Sequence, residues 1–165
     1  VLRKPPTLAT GEYRSHLVFR KLPKQDSVLD QGVEENAVGF SLRPIVEVTI
    51  PVIVRHGGTT ASMQINQAKL ETGDGDTASI KMTIQRSGSR SLYGDVDVWW
   101  MKADGKKQNI GMAKGIAVYS PNTIREFEMP LDVNNQVLNG GKLLIEFTED
   151  PAYGGDQKAD IEVAI

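Results

Sequence analysis

The sequence predicts an all-β protein: one complete immunoglobulin-like β-sandwich, preceded by two strands (F and G) of a second, incomplete sandwich. Two observations carry this. Apolar and polar residues alternate with period two along most of the chain, and no helical stripe of several turns appears. The alternating runs are separated by Gly, Asn, Asp, Ser and Pro clusters, the residues that favour turns.

The first strand is expected over about Glu12 to Leu22, with Tyr13, Ser15, Leu17 and Phe19 on one face and Arg14, His16, Val18 and Arg20 on the other. Pro23 to Glu35 is polar and turn-rich and reads as a long loop. A second strand is expected from about Val38 to Arg55, kinked at Pro44. Its last half sets Val46, Val48, Ile50, Val52 and Val54 on one side, opposite Glu47, Thr49, Pro51 and Ile53. Pro51 has no backbone donor, so one edge of this strand cannot be fully paired there.

After a turn at His56-Gly57-Gly58 the pattern restarts, with strands expected near Thr60–Glu71, Ala78–Arg86, Leu92–Lys102, Gln108–Tyr119, Thr123–Leu131, Lys142–Thr148 and Ala159–Ile165. Gly111 and Gly115 break the fourth of these. Seven short strands in about a hundred residues suit an immunoglobulin-type sandwich. Alternation in the third places Trp100 with Val96 and Val98 on the core face, and Trp99 with Asp95 and Asp97 on the outer face. A large outer aromatic needs a cover, so Trp99 is expected to meet a loop or a partner.

A weak repeat supports the division into residues 1–57 and 58–165. Leu8-Ala9-Thr10-Gly11-Glu12-Tyr13 and Leu138-Asn139-Gly140-Gly141-Lys142-Leu143 both fit Leu-x-x-Gly-x-large. The first looks like a tyrosine corner, which would make Tyr13 the start of strand F and Val46–Arg55 strand G of a sandwich whose strands A to E are missing. The chain then reads as a C-terminal fragment. Two orphan strands bury too little apolar area to stand alone in water. Residues 1–56 are therefore expected to pair with another copy as a homodimer, or to pack on the complete domain.

Composition removes several function classes. The formal charge is −2 with the signs interspersed, which offers no basic face for nucleic acid. Apolar runs such as Leu143-Leu144-Ile145 are too short to insert in a membrane. Without cysteine there is no disulfide, thiolate nucleophile or cysteine-ligated zinc. His16 and His56, the only histidines, lack a serine elbow, and His56 beside two glycines reads as a turn residue. Glu71 to Asp76 lacks the spacing of a calcium loop, and its Asp-Gly pairs read as hairpin chemistry. No catalytic residue, metal site or cofactor is expected.

Gly11-Glu12-Tyr13-Arg14-Ser15-His16-Leu17-Val18-Phe19-Arg20, followed after the loop by Ile50-Pro51-Val52-Ile53-Val54-Arg55-His56-Gly57-Gly58, resembles bacterial periplasmic chaperones of the pilus-assembly (PapD-like) family, as a divergent member. The resemblance covers roughly residues 8–58 and implies a protein of the Gram-negative periplasm that binds partly folded exported or pilus subunits by strand complementation. It implies Val46, Val48, Ile50, Val52 and Val54 as the client-binding strand. The chain departs from the family where a lysine of strand G helps hold the client's terminal carboxylate: no lysine lies between Ser41 and Gly58, and Arg43 and Arg55 are the cations left, counted with Trp99 as partner contacts. The alternative is an exported structural or adhesive sandwich that binds glycan or a surface protein.

Overall fold

The computed structural model describes residues 3–22, 44–73, 77–133 and 138–165. Among the described residues nine strands follow in order: β1 (Gly11–Arg20), β2 (Glu47–His56), β3 (Ala61–Thr72), β4 (Ala78–Gly88), β5 (Leu92–Met101), β6 (Lys107–Val118), β7 (Ile124–Leu131), β8 (Lys142–Glu149) and β9 (Lys158–Ala164). A 3-10 turn, Pro151–Tyr153, joins the last two, with the Asp150 carboxylate accepting from Ala152 N–H at its start. All nine expected strands are present. The second is the exception in extent: β2 begins at Glu47, and residues 23–43, which include the expected Val38–Arg43 stretch, lie outside the described residues.

The chain divides into two units, one of residues 13–54 and one comprising residues up to Glu12 together with 55–165. In the larger unit, β3 to β9 form two sheets, of three strands in the order β3-β4-β7 and four in the order β6-β5-β8-β9. This is an immunoglobulin-type sandwich whose fourth strand, β6, pairs with β5 in the larger sheet and leaves β7 as an edge of the smaller one.

Alternation explains which residues fill it. Ile80, Met82 and Ile84 of β4, Val96, Val98 and Trp100 of β5, and Leu143, Ile145 and Phe147 of β8 are all buried. The residues between them on each strand face outward, because successive side chains leave opposite faces of a sheet. Trp100 lies on the core face as expected, and its indole N–H donates to Gly140 O at 3.1 Å.

Expected to break at its glycines, β6 instead runs unbroken. Its register against β5 shifts twice, and Gly115 takes a positive φ of 72° as its N–H donates to the Asp95 carboxylate at 3.0 Å. Bulges let a strand carry an extra residue without ending it. The edge strand β3 is bulged too, between Asn66 and Lys69, where Gln67 has φ 54°. Such a kink blunts an exposed edge.

Among its described residues the smaller unit holds a two-stranded antiparallel ribbon made by the main lengths of β1 and β2.

Candidate protein-binding site

The ribbon's register follows from three contacts. Arg20 pairs with Glu47, its Nη2 2.6 Å from the carboxylate, Lys21 N–H donates to Val46 O at 3.0 Å, and Arg55 Nε donates to Glu12 at 3.0 Å. All three fit one alignment, in which Phe19 lies opposite Val48, Leu17 opposite Ile50, Ser15 opposite Val52 and Tyr13 opposite Val54. The five residues expected as the client-binding strand therefore share one face with Tyr13, Leu17 and Phe19. The other face carries Arg14, His16, Val18 and Arg20 beside Glu47, Thr49, Pro51 and Ile53.

The apolar face is uncovered along much of its length. Leu17 is 53% exposed, Phe19 59%, Val46 59%, Val48 54% and Ile50 46%, whereas Val52 and Val54 are half-buried. Single exposed hydrophobics are ordinary; here they form a contiguous row on two paired strands, while Val18 and Ile53 are exposed on the other face.

The same register fixes the backbone. In an antiparallel pair, residues alternate between directing both main-chain groups at the partner strand and directing both outward. Lys21 and Val46 point inward, so Val48, Ile50, Val52 and Val54 do as well. Glu47, Thr49, Pro51 and Ile53 then point outward, and the donor missing at Pro51 is missing from the outer edge of β2. Proline is tolerated there because no β1 acceptor is left unpaired.

Within the larger unit lies a buried polar cluster. The Glu12 side chain is fully buried; its carboxylate accepts from Ser91 N–H at 3.1 Å, from the Ser91 hydroxyl and from Arg55, while Arg55 also donates to Tyr153 O. Burial opposes ionisation of Glu12, but the two Ser91 hydrogen bonds and the Arg55 charge together outweigh it and hold the carboxyl below its ordinary range.

Nearby, Arg90 and Glu149 form a buried two-pronged ion pair, with Arg90 Nη2 3.1 Å from Glu149 Oε2. The pairing raises the pKa of Arg90 still further. Glu149 also accepts from Gln157 N–H at 3.1 Å, and a β-carbon at Gly155 would overlap its carboxylate. Arg86, equally buried, donates to the carbonyls of Asn122, Gly88 and Arg90 at 2.7–2.9 Å. Each buried charge thus has hydrogen-bonding partners, as stability demands.

The other expected partner contacts fare differently. Arg55 is engaged by Glu12 and Tyr153 as above. Arg43 lies outside the described residues. Trp99 stands on the outer face, half-buried, with Lys107 Nζ 4.3 Å from its ring centroid, and its buried indole N–H has no hydrogen-bond partner among the described residues. His16 is exposed on the polar face of β1. Among the described residues no group of three or more His, Cys, Asp or Glu side chains is placed to hold a metal ion, and no helix is long and apolar enough to cross a membrane.

The polar cluster has a sequence signal that the strand reading passed over. Arg86 continues the core-facing series Ile80, Met82, Ile84, and Glu149 continues Leu143, Ile145, Phe147. A charge that falls on the buried parity needs a partner.

No family model matches this chain, and no curated protein matches it. Among solved structures it is similar to beta-glucosidase 3B from Thermotoga neapolitana, at 15% identity and a TM-score of 0.38, over 67% of this chain and 16% of that one. A second neighbour is a beta-glucosidase involved in saponin metabolism from intestinal bacteria, at 10% identity and a TM-score of 0.38, over 67% of this chain and 17% of that one. At that level of likeness neither neighbour assigns an activity to this chain.

Proposed function

We propose that this chain belongs to a chaperone-like protein of the periplasm that binds partly folded exported or pilus-type subunits by β-strand complementation. The observation that carries the reading is the ribbon's exposed apolar face: Val46, Val48 and Ile50 on β2 beside Leu17 and Phe19 on β1. A subunit lacking one strand of its own sandwich exposes a core groove of the same alternating pattern. Side chains two residues apart on a donor strand fill such a groove, and main-chain hydrogen bonds supply affinity. The adhesive reading has less behind it, because Lys107 lies over the Trp99 ring that a sugar would stack on.

The test is capture of a purified pilus-type subunit, released from denaturant, by the full chain and by Val48→Lys and Ile50→Lys variants. Both residues are exposed, so folding should survive the changes. Loss of capture in both variants is the expected result; undiminished capture ends the strand-complementation reading.

A further inference from the structure

Of the chain's seven asparagines only Asn139 precedes a glycine; the others are followed by Ala, Gln, Ile, Thr, Asn or Gln. The pair Asn139-Gly140 lies in the bend ahead of β8, in the larger unit and outside the one that holds the ribbon. An asparagine side chain is open to attack by the main-chain nitrogen of the residue after it, and glycine, having no β-carbon, allows the closest approach. The reaction needs an accessible amide and a nitrogen not committed to an acceptor. Asn139 is exposed, and neither its side chain nor the Gly140 N–H has a hydrogen-bond partner among the described residues. Gly140 takes φ 70°, and a β-carbon built there would meet nothing within 4 Å. The comparable pair Asp104-Gly105 is closed: Gly105 N–H donates to Lys102 O at 2.9 Å, and the Asp104 carboxylate accepts from Lys106 N–H at 3.0 Å and pairs with Lys106 Nζ at 3.0 Å. Asn66 and Asn109 are held as well, donating to Gln85 at 2.9 Å and to Asp97 at 3.0 Å.

We propose that Asn139 is a site of spontaneous deamidation, and that the isoaspartyl product releases Trp100 from its hydrogen bond. The Gly140 nitrogen bonds to Asn139 Cγ, and its proton leaves with the side-chain NH2 as ammonia, closing a cyclic imide. Water then opens the ring at either carbonyl, to aspartate or to isoaspartate, in which the main chain runs through Cβ and Cγ. No oxidant or reductant enters, and each product carries a new negative charge. Isoaspartate lengthens the main chain by one carbon immediately before Gly140, whose carbonyl accepts the Trp100 indole N–H at 3.1 Å. Gly141 is pinned: its carbonyl accepts Ile165 N–H at 3.3 Å, and it packs so tightly on β5 that a β-carbon there would lie 2.2 Å from Met101 O. The extra carbon is therefore absorbed at Gly140 and not passed on to β8, and the buried Trp100 indole N–H loses its acceptor.

The full chain is incubated at neutral pH, native and urea-unfolded in parallel, then digested and mapped by peptide mass, with isoaspartate read by enzymatic carboxyl methylation. In the native chain the peptide holding Asn139 should be the first asparagine peptide to gain mass, at a rate close to that in urea, and should yield both products. Asn139→Gln, whose longer side chain closes the ring far less readily, should lose the modification. Manyfold protection of Asn139 in the native chain relative to urea, earlier reaction at another asparagine, or isoaspartate forming as fast at Asp104 overturns the site. The consequence is read in a Trp99→Phe background, where Trp100 is the sole tryptophan. Ion exchange separates the more acidic products, and the isoaspartyl form should show shifted Trp100 emission. Asn139→Asp carries the charge without the added main-chain carbon and should emit like the parent. Identical emission from the parent and the isoaspartyl form, or a shift shared by Asn139→Asp, overturns the coupling to Trp100.

Discussion

Replacing Arg90 by leucine tests whether the buried ion pair holds the end of the sandwich together. The Arg90 side chain is 8% exposed and that of Glu149 1%. Removing the guanidinium leaves a carboxylate walled in by Gly155, with the Gln157 N–H at 3.1 Å as its remaining strong donor. Orphaning one member of a buried pair costs about 3–5 kcal/mol, against about 5–15 kcal/mol for a whole domain. Exchanging both members for apolar side chains removes the desolvation cost along with the attraction. Arg90→Leu/Glu149→Met should therefore recover most of the loss, short of about 1 kcal/mol for the Gln157 N–H left without its acceptor. Methionine suits position 149 because it bends around the crowding at Gly155. Urea unfolding followed by the fluorescence of Trp99 and Trp100 reads the stability of the unit that contains the pair. An Arg90→Leu variant within about 1 kcal/mol of the parent, or a double variant no better than the worse single one, refutes the reasoning.

Glu12 gives a pH signature. Its carboxyl is held below the ordinary value in the folded state, so its contribution is complete above the unfolded glutamate pKa and disappears as pH falls through the lower folded value. Glu12→Gln should lower stability at neutral pH and flatten the loss between about pH 5 and pH 3, measured by urea midpoints across that range. Gly94 meets the backbone of β8: an added β-carbon would overlap Thr148 O and lie 2.8 Å from Glu149 Cα. Gly94→Ala should cost roughly 1–3 kcal/mol or more in the same assay, because backbone cannot step aside as a flexible side chain can.

The strands were legible because each carries its own period. Half-buried strands alternate, and β4, β5 and β8 alternate cleanly enough to separate Trp100 from Trp99 and to locate turns within one or two residues. Pairing was not legible. That β6 joins β5 and not β7 depends on contacts between distant segments, and the local pattern of β6 suits either sheet. Its bulges were hidden too, since glycine reads as a break until a register shift shows it absorbed. Of the polar cluster, Arg86 and Glu149 could have been found by their parity. Glu12 could not: it shares a face with Arg14, His16 and Arg20, and nothing local separates the acid that is buried from the cations that follow it.

Comparing β2 with β5 shows what alternation leaves open. Both place valines two residues apart on one face, yet Val96 and Val98 are fully buried while Val48 is 54% exposed. The pattern states which side of a strand requires cover; the cover itself comes from another sheet. For the ribbon, the function proposed above would draw that cover from a client, and hydrophobic burial alone would accept any apolar segment, because it carries no direction. The Arg20–Glu47 and Arg55–Glu12 pairs fit the one register that sets the valines of β2 on a single face. Slippage by one residue would turn the valines of β2 to the polar side, so the exposed Arg20–Glu47 pair matters more for alignment than for its modest energy.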